Sequence, residues 1–332
     1  MTTVVDIYTH VLPAAFTGAL ERQGGRFGLV KRLMEVRELY DFDQRFRTMD
    51  GLGDYRQIVS LPNPPIEAFA DAAQGAMLAR IANDAMAELV HRHPDRFPGF
   101  IAALSLNDVA AALGEAERAL TELGALGVQI FTNIAGKPLD LPEFAPLFAR
   151  LAEHDLPIWL HPARTSETTD YAAEPRSRFE MWWCFGWPYD TSVAMARLVF
   201  AGLFDRHPGL KIITHHLGGM IPFFDKRIEN GLAVLGSRTR EEDHTGVLRA
   251  LKRPHIDYFR MFNADTALFG ASGGLSCGLG FFGVDNVVFA SDAPFGPIAE
   301  TREAVLREEL APAQARAILC GNAERLVGRK LV

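Results

Sequence analysis

Short apolar or β-branched runs recur along the chain at spacings too long for hairpins: 3–8 (TVVDIY), 56–61 (RQIVSL), 99–104 (GFIAAL), 127–132 (GVQIFT), 157–161 (PIWLH), 211–216 (KIITHH), 256–262 (IDYFRMF) and 286–291 (NVVFAS). Each has the length and residue type of a strand. Between most of them, apolar residues at three- and four-residue spacing predict helices over 66–92, 107–124, 143–154 and 190–206. Asp95-Arg96-Phe97-Pro98 and Arg206-His207-Pro208-Gly209 stand where such helices should stop. Eight strand–helix units predict an α/β fold, a (β/α)8 TIM barrel, as one domain over 1–332. An open doubly wound sheet is the alternative, but no glycine-rich phosphate loop follows the first strand.

Two connections exceed ordinary turns. Residues 13–55, after the first strand, carry Arg45 and Arg47; residues 162–189, after the fifth, carry Trp182, Trp183, Phe185 and Trp187. In a barrel both leave strand C-termini, so they are expected to act as lid and specificity segments over the site. The segment 299–328 reads as closing helices, and the long uncharged stretch at 266–284 as buried helix and loop, too rich in Gly and Ser to span a membrane.

Composition narrows the function. A chain of 332 residues, 48% hydrophobic and 23% charged, can bury a large core. A net charge of -7 with no long basic run disfavours nucleic acid and anionic membranes as partners and leaves small molecules. Cys184, Cys277 and Cys320 show no paired spacing, and the N-terminal residues lack a signal-peptide pattern, so a reducing cytoplasm is expected.

Barrel chemistry gathers at strand C-termini. His10, His161, His216 and Asp292 end four of the runs, whose interiors are apolar. By strand alternation Asp6, Tyr8 and His10 face one way, as do Trp159 with His161, Thr214 with His216 and Ala290 with Asp292, so His215 is expected to face the helices as a structural residue. His10, His161 and Asp292 could supply the three protein ligands of an open metal site. Each taken alone is better explained by a hydrogen-bonded structural role; the convergence of distant segments carries the reading. His91, His93, His154 and His207 sit at helix ends and read as structural.

The strings DIYTH, GVQIFT, PIWLHP, LFDRHPGLKIITHHLGGMIPFFDKRI and VVFASDAPFG, in this order, resemble the amidohydrolase superfamily, nearest to its aminocarboxymuconate-semialdehyde and γ-resorcylate decarboxylase branch. The resemblance implies one divalent metal, zinc first and then manganese; iron becomes an alternative should Tyr8 bind as phenolate, since a harder ligand favours harder metals. It implies His10, His161 and Asp292 as ligands and His216, six residues before Pro222, as the catalytic histidine. Arg45 resembles an arginine that binds a substrate carboxylate; its other reading is a solvated loop residue. Homodimers or homotetramers are implied as well.

Tyr8 departs from this pattern, standing where His or Glu is usual. A phenol ligates only as phenolate. Tyr8 therefore binds the metal, hydrogen-bonds metal-bound water or substrate, or fills the space of a lost metal. The expected reaction is non-oxidative decarboxylation of an aromatic or muconate-like acid. His216 would handle the proton, Asp292 would share that duty, and Trp183 and Phe185 would wall the substrate. Hydrolysis of an amide, lactone or C–C bond by metal-activated water is the competing reaction, and non-catalytic binding of an aromatic acid the third possibility.

Overall fold

The computed structural model describes residues 3–22, 31–240 and 243–332; part of the first long connection, 23–30, lies outside the described residues. Eight parallel strands form the frame: β1 Val4–His10, β2 Tyr55–Ser60, β3 Gly99–Phe100, β4 Val128–Phe131, β5 Ile158–His161, β6 Ile212–Thr214, β7 Asn263–Asp265 and β8 Val287–Val288. The ladders run β1-β2-β3 and β4-β5-β6-β7-β8. A parallel bridge between Ala102 and Val128 joins the two. Ile7 N donates to Phe289 O (3.0 Å) and His10 N to Ala293 O (2.7 Å), which closes the barrel.

Alternation along the strands sorts side chains into two cores. Val5, Ile7, Ile58, Ile101, Trp159, Ile213, Val288 and Ala290 fill the barrel. Val4, Val59, Phe100, Ile130, Leu160, Ile212 and Phe289 face outward, against Leu78, Met86, Ala116, Leu147 and Leu198 of the surrounding helices. The helices Ala72–Arg92 and Val109–Thr121 start where the sequence supplies a cap: Asp71 accepts from Gln74 N and Asp108 from Ala111 N. Two further helices follow the predicted pattern, Ala145–Glu153 and Gly186–Phe200. No described helix is long and apolar enough to cross a membrane.

The seventh strand differs from expectation. The run 256–262 is mostly a short helix, His255–Phe259, and the strand is the next segment, Asn263–Asp265. Ile256 and Phe259, and Tyr258 and Phe262, are buried pairs at three- and four-residue spacing. A run this short fits either period, and Pro254 ahead of it suits a helix start. The true strand looks polar because it ends at the barrel mouth.

Parity also breaks in β1. Its register against β2 slips between Asp6 and Thr9. Tyr8 and His10 stay inside, whereas Asp6 turns to the helix side, accepting from Tyr55 Oη at 2.6 Å and from the Ser291 hydroxyl. The expectation that Asp6 shares a face with Tyr8 and His10 is thereby corrected.

Candidate active site

At the C-terminal mouth of the barrel, His10, His161, His215, His216 and Asp292 come together from four strand ends. His10 Nε2 lies 3.0 Å from Asp292 Oδ1. Its Nδ1 lies 3.2 Å from the Leu61 carbonyl and 3.0 Å from Ser60 Oγ. A carbonyl only accepts, so Nδ1 donates to Leu61 O and Nε2 is the ring atom turned to the carboxylate. Donor atoms on one ion, with bonds of about 2.0–2.2 Å, sit about 3 Å apart. His161 follows the same scheme, its Nδ1 donating to Pro162 O at 2.6 Å.

His215 belongs to this group, against the expectation that it faces the helices. Ile213 is the inward residue of β6, so alternation places His215 inside and Thr214 outside, against Met195 Sδ. His215 Nδ1 donates to Asp265 Oδ2 at 2.5 Å. Asp265 lies outside the predicted seventh run, 256–262; its signal in the sequence is a carboxylate three residues after that run. His216 reaches the mouth as well because the chain leaves extended geometry there, with φ of 51° at His216 and 52° at Leu217. Gly218 and Gly219 complete a tight turn, and a Cβ on Gly219 would lie 2.3 Å from Pro188 O. The two imidazoles end with centroids 3.7 Å apart.

Three predicted residues take other places. Tyr8 lies beneath the histidines, its ring 4.7 Å from His215 and 5.1 Å from His10, and its hydroxyl donates to Gln129 Oε1 at 3.0 Å. It is 1% exposed and does not line the cavity described below. Arg45 is corrected from substrate binding to scaffolding. Its fork is buried outside the barrel wall, donating to Gln57 Oε1 (2.6 Å), His10 O (2.6 Å), Glu38 O (3.2 Å) and Thr9 Oγ1 (2.9 Å). A helix residue on the outer layer cannot present those donors to the mouth. Phe185 is 68% exposed and lies off the cavity wall, because it follows the short helix Met181–Cys184 on its solvent side.

A cavity of about 550 Å³ opens above the imidazoles. Its floor is His10, His161, His216 and Asp292; Trp182, Trp183, Trp187, Phe269 and Phe295 form walls, with Lys31 and Arg32 at one side. Trp187 stacks on His216 at 6.0 Å. Both long connections thus contribute lining.

Burial and charge pull the site's groups apart. Burial lowers His215, but Asp265, with Asp292 beyond it, outweighs burial and pushes its pKa up to about 10. Burial and the charge of His215 hold His161 and His216 well below the ordinary histidine value, so both are neutral at neutral pH. Burial raises Asp292, yet the close contact with His10 and the charge of His215 more than reverse this and hold it below the usual carboxylate range. Burial keeps Tyr8 a neutral phenol, its pKa raised well above the ordinary value, with the charges of Asp265 and Asp292 acting the same way. Two buried carboxylates, Asp265 and Asp292, face this cluster of imidazoles and make a field suited to a cation.

The residues fit a divalent metal. His215 Nε2 and His216 Nδ1 are buried without a hydrogen-bond partner among the described residues. Donor atoms of His215, His216 and Asp292 lie within 4.8 Å of one another. Buried ring nitrogens left without a partner are costly unless something occupies the space they face.

Comparison with known proteins agrees with this geometry. The family model described as amidohydrolase matches residues 5–329. The gamma-resorcylate decarboxylase of Polaromonas sp. (strain JS666 / ATCC BAA-500) is 31% identical over 312 residues, 90% of this chain and 89% of that protein. Among solved structures, 5-carboxyvanillate decarboxylase from Sphingomonas paucimobilis superposes with a TM-score of 0.82 at 25% identity, covering 99% of this chain and 100% of that one. Dihydroxybenzoic acid decarboxylase from Polaromonas sp. JS666, solved with bound manganese and the inhibitor 2-nitroresorcinol, gives 0.80 at 27%, covering 99% and 97%. The chain belongs to the amidohydrolase family.

Proposed function

We propose that the protein is a metal-dependent non-oxidative decarboxylase of an aromatic or muconate-like carboxylic acid. The observation that carries this is the floor of His10, His161, His216 and Asp292 beneath an aromatic-walled cavity. His10, His161 and Asp292 would hold one divalent ion, zinc or manganese before iron. When bound, that ion supplies a Lewis-acid anchor for the substrate carboxylate or a neighbouring oxygen.

The chain's own groups do the rest. Trp183 and Trp187 flank a flat substrate and exclude water. Lys31 and Arg32, rather than Arg45, offer positive charge to an anionic group. As the C–C bond breaks, its electron pair stays on the substrate carbon and CO2 leaves. His216 Nδ1, free of protein partners, takes a proton from solvent and passes it to that carbon, returning to the neutral ring. Asp292 shares the proton handling. The described parts of the connections 13–55 and 162–189 that line the cavity act as lids.

Turnover of a panel of hydroxybenzoates and aminocarboxymuconate-like acids in D2O tests the reading. We expect CO2 release with one solvent deuteron on the product carbon, and His216→Asn slower by on the order of 10²–10⁴-fold in kcat with metal content kept. Solvent oxygen in the organic product, without CO2, would instead establish hydrolysis.

A further inference from the structure

We propose that His215 takes the ligand position that Tyr8 leaves, so that the ion is held by imidazoles of His10, His161 and His215 together with Asp292, and that Asp265 positions His215 for this. The inference rests on the metal-centre reading above and deepens it.

The case against Tyr8 is a chain of hydrogen bonds. Gln129 Nε2 donates to Leu61 O at 3.2 Å, which fixes the orientation of the amide. Gln129 Oε1 can then only accept, so Tyr8 must keep its proton to meet it at 3.0 Å. A ligating phenolate would set two oxygen acceptors against each other in a dry site.

The case for His215 is its orphaned nitrogen. Nε2 is buried with no hydrogen-bond partner among the described residues. It faces Asp292 Oδ1 at 3.7 Å, beyond hydrogen-bond range, and that same oxygen lies 3.0 Å from His10 Nε2. The ring stacks on His161 at 5.0 Å and meets the Tyr8 ring edge-on, so it borders the space a ligand at position 8 would have used.

A shared design supports the set. His10, His161 and His215 each spend Nδ1 on a protein oxygen, from Leu61, Pro162 and Asp265 respectively. This leaves Nε2 as the donor atom in all three, the arrangement that orients imidazoles at metal sites. His216 is the exception, with Nδ1 free, which keeps it for the substrate proton. Two adjacent histidines thus divide the work.

The test uses the full chain loaded with zinc or manganese, dialysed, and assayed for metal content and for affinity by chelator competition. Tyr8→Phe is expected to bind one ion per chain with affinity within a few-fold of the unmodified protein. Asp265→Asn is expected to lose about 10–100-fold in affinity and His215→Ala more. His216→Asn should keep its ion. In the cobalt-substituted proteins, the visible ligand-field bands should change for His215→Ala and Asp265→Asn but not for Tyr8→Phe. Should His215→Ala fail to fold by circular dichroism, the Asp265→Asn and Tyr8→Phe arms decide. Loss of the ion in Tyr8→Phe, or unchanged affinity and bands in Asp265→Asn, would overturn the assignment while leaving a metal centre. An unmodified protein that takes up no stoichiometric metal would overturn the parent reading as well.

Discussion

Glu67 shows how much burial alone does to a single group in this protein. It is a buried acid outside the site, one carboxylate oxygen has no partner among the described residues, and burial pushes its pKa up to about 7, against weaker lowering by backbone hydrogen bonds. The native state therefore holds a proton that the unfolded chain has already released. Its contribution to stability is fully present below about pH 4.5 and is lost as pH rises through about 7. Glu67→Gln should lack this loss. Its stability relative to the unmodified protein should rise by about 1–3 kcal/mol between pH 4.5 and pH 8 in denaturant titrations, and a flat difference would exclude the mechanism. The meeting of His10, His161, His216 and Asp292 at the barrel mouth was legible, because each ends a strand run. Arg45 was not legible in that way. An arginine in a loop near the mouth and an arginine buried behind the wall read alike until its four acceptors are seen.

The element that matters most is the turn after β6. Two consecutive residues of a strand point to opposite faces, so the rings of His215 and His216 can lie side by side at the mouth only if the chain bends between them. The left-handed conformations from His216 to Gly219 make that bend, and Pro188 O closes on the Gly219 Cα. Gly219→Ala should lower stability by about 1–3 kcal/mol, through both its positive φ and the clash, and reduce turnover by displacing His216. Gly280→Ala, in the helix Ser272–Phe282 with nothing within 4 Å of the new Cβ, should leave turnover unchanged and stability equal or higher by about 0.5–1 kcal/mol. Equal effects from the two substitutions would refute the role given to the turn. Sequence periodicity could announce neither this bend nor the register slip in β1, because both are departures from periodicity.

Across the whole molecule, the site ties together segments that are distant in sequence: β1, the end of β5, the turn after β6 and the loop after β8. A ligand that bridges them should stabilise the barrel by mass action, about 4 kcal/mol at a thousand-fold excess over Kd. Chelator treatment should therefore lower Tm in scanning calorimetry, and readdition of the ion should restore it; an unchanged Tm would mean that no ion bridges these segments. The resemblance legible in the ordered motifs agrees with the family match over residues 5–329. The barrel itself was legible because eight apolar runs alternating with helical periods admit few other closed packings.

By itself, the sequence determined the number and order of the strand–helix units, the alternation that fills the barrel, and the types of the residues at its mouth. These are local properties, set by hydrophobic period and side-chain chemistry. Only the tertiary structure decided that His215 faces inward on Asp265, that Tyr8 spends its hydroxyl on Gln129, and that Arg45 braces the outer wall. Each depends on which partner another segment brings within about 3 Å, and a register shift of one residue changes that partner completely.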